Sequence, residues 1–184
     1  MKAFSNWLYR ISTNRNTLIT LVIFVLFAAL ALPRMLDTPW IKAAGLPDTT
    51  LVYSAHDLYT MAEAYGESGR AAFTPWHFTW DLAFPIVYTA LLLIAGSWLI
   101  RPVSTTASRW RFVNTLPLIG FLLDLLENGA ASFVITHYPA RTPMAAIVPI
   151  ITLVKWSSIG ITIVILLALG VSGIKQRKAH PLAR

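Results

Sequence analysis

The chain has 184 residues, 56% hydrophobic and 12% charged, against about 25% charged residues in an average soluble domain. That composition excludes an ordinary soluble globule and points to an integral membrane protein. The net charge of +7 flanks apolar runs and does not form a nucleic-acid stripe, and the absence of cysteine excludes thiol-dependent membrane oxidoreductases and structural disulfides.

In chain order, Lys2, Arg10 and Arg15 precede a first apolar run, expected as a helix over residues 16–35. Basic start, apolar run and the small residues Ala29 and Ala31 also resemble a secretory signal. The run is close to full spanning length, so it is read as a retained span. Residues 36–78 are expected to form an external loop too long for a simple connector, and therefore folded or functional.

Within that loop, "LVYSAHDLYTMAEAYG" sets Leu51, Ala55, Leu58, Tyr59, Ala62 and Tyr65 on one side at helical spacing, with Asp57, Thr60 and Glu63 opposite. Ser54 with Asp57 makes a capping pair, and Gly66 closes the far end. This predicts an amphipathic helix that either lies on the external membrane surface or packs across the mouth of the bundle. In both cases it is a lid.

"TPWHFTWD" leads into a second span over residues 79–100, with Trp76 and Trp80 at headgroup depth. Trp7, Tyr9, Trp40, Trp98, Trp110 and Tyr138 mark other helix ends in the same way and form no cofactor box. A third span covers 112–136 and a fourth 146–173. The expected architecture is a single all-α transmembrane domain over residues 1–184, a four-helix bundle. Arg101, Arg109 and Arg111 lie between the middle spans, and Lys175, Arg177, Lys178 and Arg184 follow the last. All eight acids fall elsewhere, so the positive-inside rule puts both termini in the cytoplasm of a multi-pass inner-membrane protein.

Asp124, Glu127 and Asn128 stand at i, i+3 and i+4 on one face of the third span. Each central carboxylate costs about 2.5–3.5 kcal/mol to insert, whereas a polar contact between membrane helices is worth about 0.6 kcal/mol on average. Two acids there exceed what packing needs. Lys155, on a stripe with Thr152, Ser158 and Thr162, is the simplest partner for Glu127. Asp81, on a stripe with Pro85 and Tyr88, brings a further carboxylate and a phenol, while Arg70, His56 and His77 are placed to close the volume from outside.

The motifs "YGESGR" (65–70), "WDLAFPIVY" (80–88), "DLLEN" (124–128) and "KW" (155–156) together resemble a pattern in small bacterial four-helix membrane proteins without assigned activity. The resemblance spans the chain from the lid to the fourth helix. It implies that Arg70, Asp81, Asp124, Glu127, Asn128 and Lys155 form one unit, and it adds no chemistry.

Other chemistries fit less well. The acids could hold a divalent cation for lipid-diphosphate chemistry, but the Asp-rich spacing of lipid phosphotransferases is missing and Lys155 would compete. His56, His77 and His137 lack ligand spacing for zinc, and His77 with His137 sit too near the interface for haem. Ser132 and Ser157 have no histidine at their depth for intramembrane proteolysis, and His180 belongs to a solvated tail. The reading is an acidic pocket in the outer half of the bundle that binds an amphipathic or lipid-linked ligand, with no cofactor or resident metal, and leaves open whether the pocket also processes that ligand with Asp124 and Glu127 as its catalytic groups. Asp124 and Glu127 are the acid/base or charge-pairing groups. Lys155 is their counter-ion or an anion contact, Asn128 orients, and Arg70, Asp81 and Tyr88 complete the binding set. Expected partners are membrane lipids, an amphipathic small molecule, and a second copy or another membrane protein. The alternatives are a small proton-coupled transporter or channel subunit and a membrane assembly factor.

Overall fold

A computed structural model of the chain describes residues 2–102 and 109–179. Among these the regular elements are all helices. A short helix α1 (Lys2–Ile11) precedes the long α2 (Asn14–Leu36). Then come α3 (Pro39–Ala44), a single 3-10 turn (Pro47–Thr49), α4 (Ala55–Ala64) and the long α5 (Gly66–Ile100). A second 3-10 stretch leads into α6 (Pro117–His137), and α7 (Met144–Ala179) ends the described chain. Four of these stretches, Asn14–Leu36, Gly66–Ile100, Phe112–His137 and Met144–Gly173, are long and apolar enough to cross a membrane. They mark a multi-pass membrane protein.

The second long helix starts thirteen residues earlier than residue 79, at Gly66, so the connecting segment is shorter than 36–78. Its first turns carry the signals that read as loop: Gly66, Gly69, Pro75 and the charges of Glu67 and Arg70. Each has a local cause. Gly66, at φ +64°, makes the left-handed junction that lets one helix end and the next begin. At Gly69 a side chain is excluded, because a Cβ there would lie 2.7 Å from Cβ of Trp40 and 2.9 Å from that of Tyr65. At 35 residues α5 is roughly 52 Å long, well beyond the 30 Å of a hydrocarbon core. Its first turns therefore belong with α3 and α4.

Helix α1 is the second departure, since its charges read as an orientation signal and Trp7 and Tyr9 as interface markers, not as a helix of their own. It buries Ser5, Leu8 and Tyr9 and leaves Phe4 and Trp7 outside. Ser5 Oγ donates to Asn114 Oδ1 at 2.7 Å, and Asn114 Nδ2 donates to Ser97 Oγ at 3.0 Å. The Arg101 guanidinium donates to the carbonyls of Tyr9 and of Ser12, which ties α1 to the end of α5. His180 and Arg184 lie outside the described residues.

α6 packs along α7, and α5 touches both of them and α2. α2 is peripheral: Leu18, Val22, Val25 and Leu26 are exposed along it, as a face turned to hydrocarbon would be. The main apolar core sits at the end of the bundle covered by residues 37–65. There Leu58, Tyr59 and Ala62 of α4, with Tyr65, pack on Phe73, Ala130, Ala131, Val134, Ile135, Ala145 and Val148. So α4 packs across the bundle mouth. Ser54 Oγ accepts from the Asp57 N–H at 3.2 Å and Asp57 Oδ2 accepts from the Ser54 N–H at 2.8 Å. Those reciprocal bonds start the helix, and the Ser54 N–H holds the Asp57 carboxyl below its ordinary range.

Two π-helical turns interrupt the long helices, Phe27–Ala31 in α2 and His77–Asp81 in α5. Each lies just before a proline, Pro33 and Pro85. A proline ring clashes with the carbonyl four residues back and offers no N–H to it, and a wider turn relieves both faults.

Candidate functional site

Asp81, Asp124, Glu127, Asn128 and Lys155 are all buried, with Glu127 and Asn128 1% exposed and Lys155 2% exposed. The i, i+3, i+4 spacing on α6 aims Asp124, Glu127 and Asn128 at α5 and α7 together. Lys155 Nζ lies 3.2 Å from Asp124 Oδ1 and 2.5 Å from Glu127 Oε2. Both contacts are charge-assisted, and the one to Glu127 is the shorter. Tyr88 of α5 donates to Asp124 Oδ2 at 3.0 Å, and Asn128 Nδ2 donates to Asp81 Oδ2 at 2.9 Å. The stripe Asp81, Pro85, Tyr88 is buried throughout, with the π-turn carrying Asp81 onto the inward side.

Thr152 joins the cluster to the connecting segment. Its hydroxyl donates to Glu127 Oε1 at 2.5 Å and meets the Tyr53 hydroxyl at 2.8 Å. Burial pushes the Tyr53 phenol above its ordinary range, so it remains a protonated donor and acceptor. Next to it, the 3-10 turn presses on α7: Trp156 Nε1 donates to the Asp48 carbonyl at 2.8 Å. Asp48 is half-buried, but its Oδ1 is sealed from solvent and has no hydrogen-bond partner among the described residues. Burial and then the charge of Asp81 push the Asp48 carboxyl up to about 6, with Lys155 acting in the opposite sense.

Asp48 was missed from the sequence, because nothing in the spacing of a loop aspartate announces that its turn docks on a distant helix. Two carboxyl groups thus contact one ammonium, which also acts through space on two more, Asp48 and Asp81. Buried charge requires pairing, neutralisation or a ligand. Asp48 Oδ1 and Asn128 Oδ1 are buried acceptors without a donor among the described residues. An unmet buried acceptor costs about 1–3 kcal/mol. The cluster therefore has acceptor capacity that its own donors leave unused.

Arg70 does not join it. Its Nη1 donates to the Ala62 carbonyl at 2.9 Å, near the C-terminal end of α4, and its guanidinium lies over the Tyr138 ring at 4.9 Å from the centroid. A cation that satisfies the open carbonyls of a helix end and stacks on an aromatic has a structural place already. His56 is exposed. His77, 1% exposed, points inward rather than to the interface. Its ring stacks on Phe73 at 3.9 Å, and its Nδ1 is 2.9 Å from the Phe73 carbonyl. A carbonyl can only accept, so Nδ1 carries the proton and Nε2 is left as an acceptor. His137 is exposed on α6 and bonds the Phe133 carbonyl. Among the described residues no three His, Cys, Asp or Glu side chains come together to hold a metal ion.

Between α2 and α5 lies an apolar cleft of about 450 Å³. Both π-turns contribute to it: Phe27 and Ala31 from one, Trp80 from the other, with Trp76 and Ala83 flanking. Arg34 stands at its lip. Segment 76–81 thus serves two volumes, lining the cleft with Trp76 and Trp80 and burying His77 and Asp81. The spacing of i and i+4 gives each pair its own face.

No family model, curated protein or solved structure matches the chain. The likeness of its motifs to small bacterial four-helix membrane proteins rests on those motifs alone.

Proposed function

We propose that this is an inner-membrane protein with cytoplasmic termini and an external amphipathic lid, α4. In its outer half it binds an amphipathic, lipid-linked ligand from the outer leaflet. Ten of the fifteen basic residues, and none of the eight acids, lie in the two terminal segments and the connection between the middle spans, which supports the orientation. The observation that carries the binding reading is the two-sided segment 76–81, which lines an apolar cleft with Trp76 and Trp80 and buries Asp81 against Asn128 of the polar cluster. The tail lies in the cleft, and a hydroxyl- or amine-bearing head reaches the Asp81, Asn128 and Glu127 side. Asp124 and Glu127 are the groups able to hold or move a proton there, and Tyr88 and Lys155 fix their orientation.

Native mass spectrometry of wild type and Glu127→Gln, released from mild detergent, tests this. The expected result is one defined amphiphile on the wild type that is lost from the variant. If both carry only bulk lipid and the variant merely melts lower, the cluster is structural.

A second reading, proton handling, is favoured by one continuous chain of contacts. It runs from the Tyr53 hydroxyl through Thr152, Glu127, Lys155 and Asp124 to Tyr88, reaching from the connecting segment into the bundle. On this reading Asp124→Asn abolishes pH-driven flux in proteoliposomes. Flux equal to wild type eliminates it.

A further inference from the structure

Arg34 is the one cation lining the cleft, and its neighbours there are Phe27, Ala31, Met35, Thr38, Trp76, Trp80 and Ala83. Its Nη1 caps the Leu30 carbonyl, which leaves further guanidinium N–H groups to act. Among the described residues no carboxylate pairs with it: the nearby Asp37 is taken by Lys42. The Thr38 hydroxyl is likewise turned back on the Met35 carbonyl at 3.0 Å.

Its depth is marked from both sides. Trp80, 63% exposed, is an indole of the kind that sits at the headgroup interface. Below Arg34 the wall is apolar down to Phe27, which stacks with Phe84 of α5 at 6.3 Å. The combination is a planar cation without a carboxylate partner among the described residues, at the lip of an apolar cleft of about 450 Å³. Small pockets that hold amphiphiles have volumes of about 300–1,000 Å³, apolar walls and a few placed polar groups. A guanidinium with free donors is matched to phosphate oxygens, which it meets with two parallel bonds.

We propose that the cleft is a binding site for a phosphate-bearing membrane lipid, with one acyl chain between the π-turns and its phosphate on Arg34. This rests on the binding reading above and names the chemical class of its ligand. It adds Arg34, Trp76, Trp80 and Ala83 to the residues that hold the ligand. The two aspects of the site are then complementary in charge: a phosphate meets the cation at the lip, and the donor-bearing end of the head lies toward the acceptors behind His77 and Asp81. Such a head bears both an anion and a hydroxyl or ammonium, as a glycerol- or ethanolamine-type phospholipid does.

The experiment compares two probes with the same chains. Full-length protein, delipidated in mild detergent, is titrated with dioleoyl phosphatidylglycerol or with dioleoylglycerol, which lacks the phosphate, and bound lipid is counted by native mass spectrometry. Wild type is expected to prefer the phosphatidylglycerol by roughly tenfold, the worth of one charge-assisted hydrogen bond. Arg34→Gln, at an exposed position, is expected to bring the two lipids to parity. Ala83→Trp, which fills the slot, is expected to lose both, and Ala31→Phe repeats that test from the opposite wall.

Equal binding of the two lipids by wild type, or an undiminished preference in Arg34→Gln, overturns the phosphate assignment while leaving the cleft reading standing. If neither Ala83→Trp nor Ala31→Phe displaces either lipid, the cleft itself is not the site. The binding reading above then falls with it.

Discussion

Lys155→Met is expected to lower stability by about 3–5 kcal/mol, the cost of removing one partner from a buried ion pair. Methionine has nearly the volume and flexibility of the lysine stem, so the change removes a charge without opening a large cavity. Its consequence is that Asp124 and Glu127, which lie 3.2 Å and 2.5 Å from the ammonium, are left in a sealed site with no counter-charge. Tyr88 and Thr152 still donate to them, but two neutral hydroxyls do not balance two carboxylates. Unfolding in detergent measures the loss. A single variant within 1 kcal/mol of wild type would mean that the ammonium is not what stabilises these carboxyl groups.

The neutral triple variant, Lys155→Met with Asp124→Asn and Glu127→Gln, separates stability from use. Replacing a buried charge set by neutral groups of similar shape is often neutral or stabilising, so the triple variant should regain most of what the single one lost. If it folds well yet no longer retains an amphiphile, the charges serve the ligand. If it folds well and retains the same amphiphile, binding depends on the cleft and on Arg34.

What the sequence made legible follows from what is local. Hydropathy announces four spans because apolar length is a one-dimensional property. The i, i+3, i+4 spacing on α6 fixes a common face by geometry alone, and the polar stripe on α7 does the same for Thr152 and Lys155. Helix α1 and the early start of α5 were hidden by residues whose meaning is set elsewhere in the chain. Gly69 is a glycine because Trp40, twenty-nine positions away, occupies the space of its Cβ. Arg70 shares a motif with Tyr65 and Gly66 but turns toward Ala62 and Tyr138, a direction no spacing encodes. The π-turns were likewise silent, although Pro33 and Pro85 are the residues that occasion them. They widen the helix at the two places where the cleft forms.

Asp48→Asn is expected to stabilise the protein at neutral pH by about 2 kcal/mol and to flatten its pH dependence. In the folded chain the Asp48 carboxyl titrates at about 6, above the ordinary 3.8, chiefly through burial. A group whose folded value is raised binds its proton more tightly in the folded state. Its contribution is therefore full below about 4, declines as pH rises through about 6, and levels off above that. A shift of this size corresponds to roughly 3 kcal/mol at 1.36 kcal/mol per unit, reduced because Asp48 is only half-buried. The groups acting on it are Asp81, Lys155, His77 and Asp124. Asparagine keeps the shape and removes the titration, so the two proteins should be equally stable near pH 4 and diverge toward pH 7.5. Hydrogen exchange over residues 46–53 together with thermal unfolding in detergent reads the effect, locally and globally. Parallel curves for variant and wild type across that range would show that the Asp48 carboxylate is solvated. With divergence confined to the exchange data, the 3-10 turn opens on its own. The Asp48 charge would then control how firmly residues 47–49 and Trp156 close the lid side of the cluster.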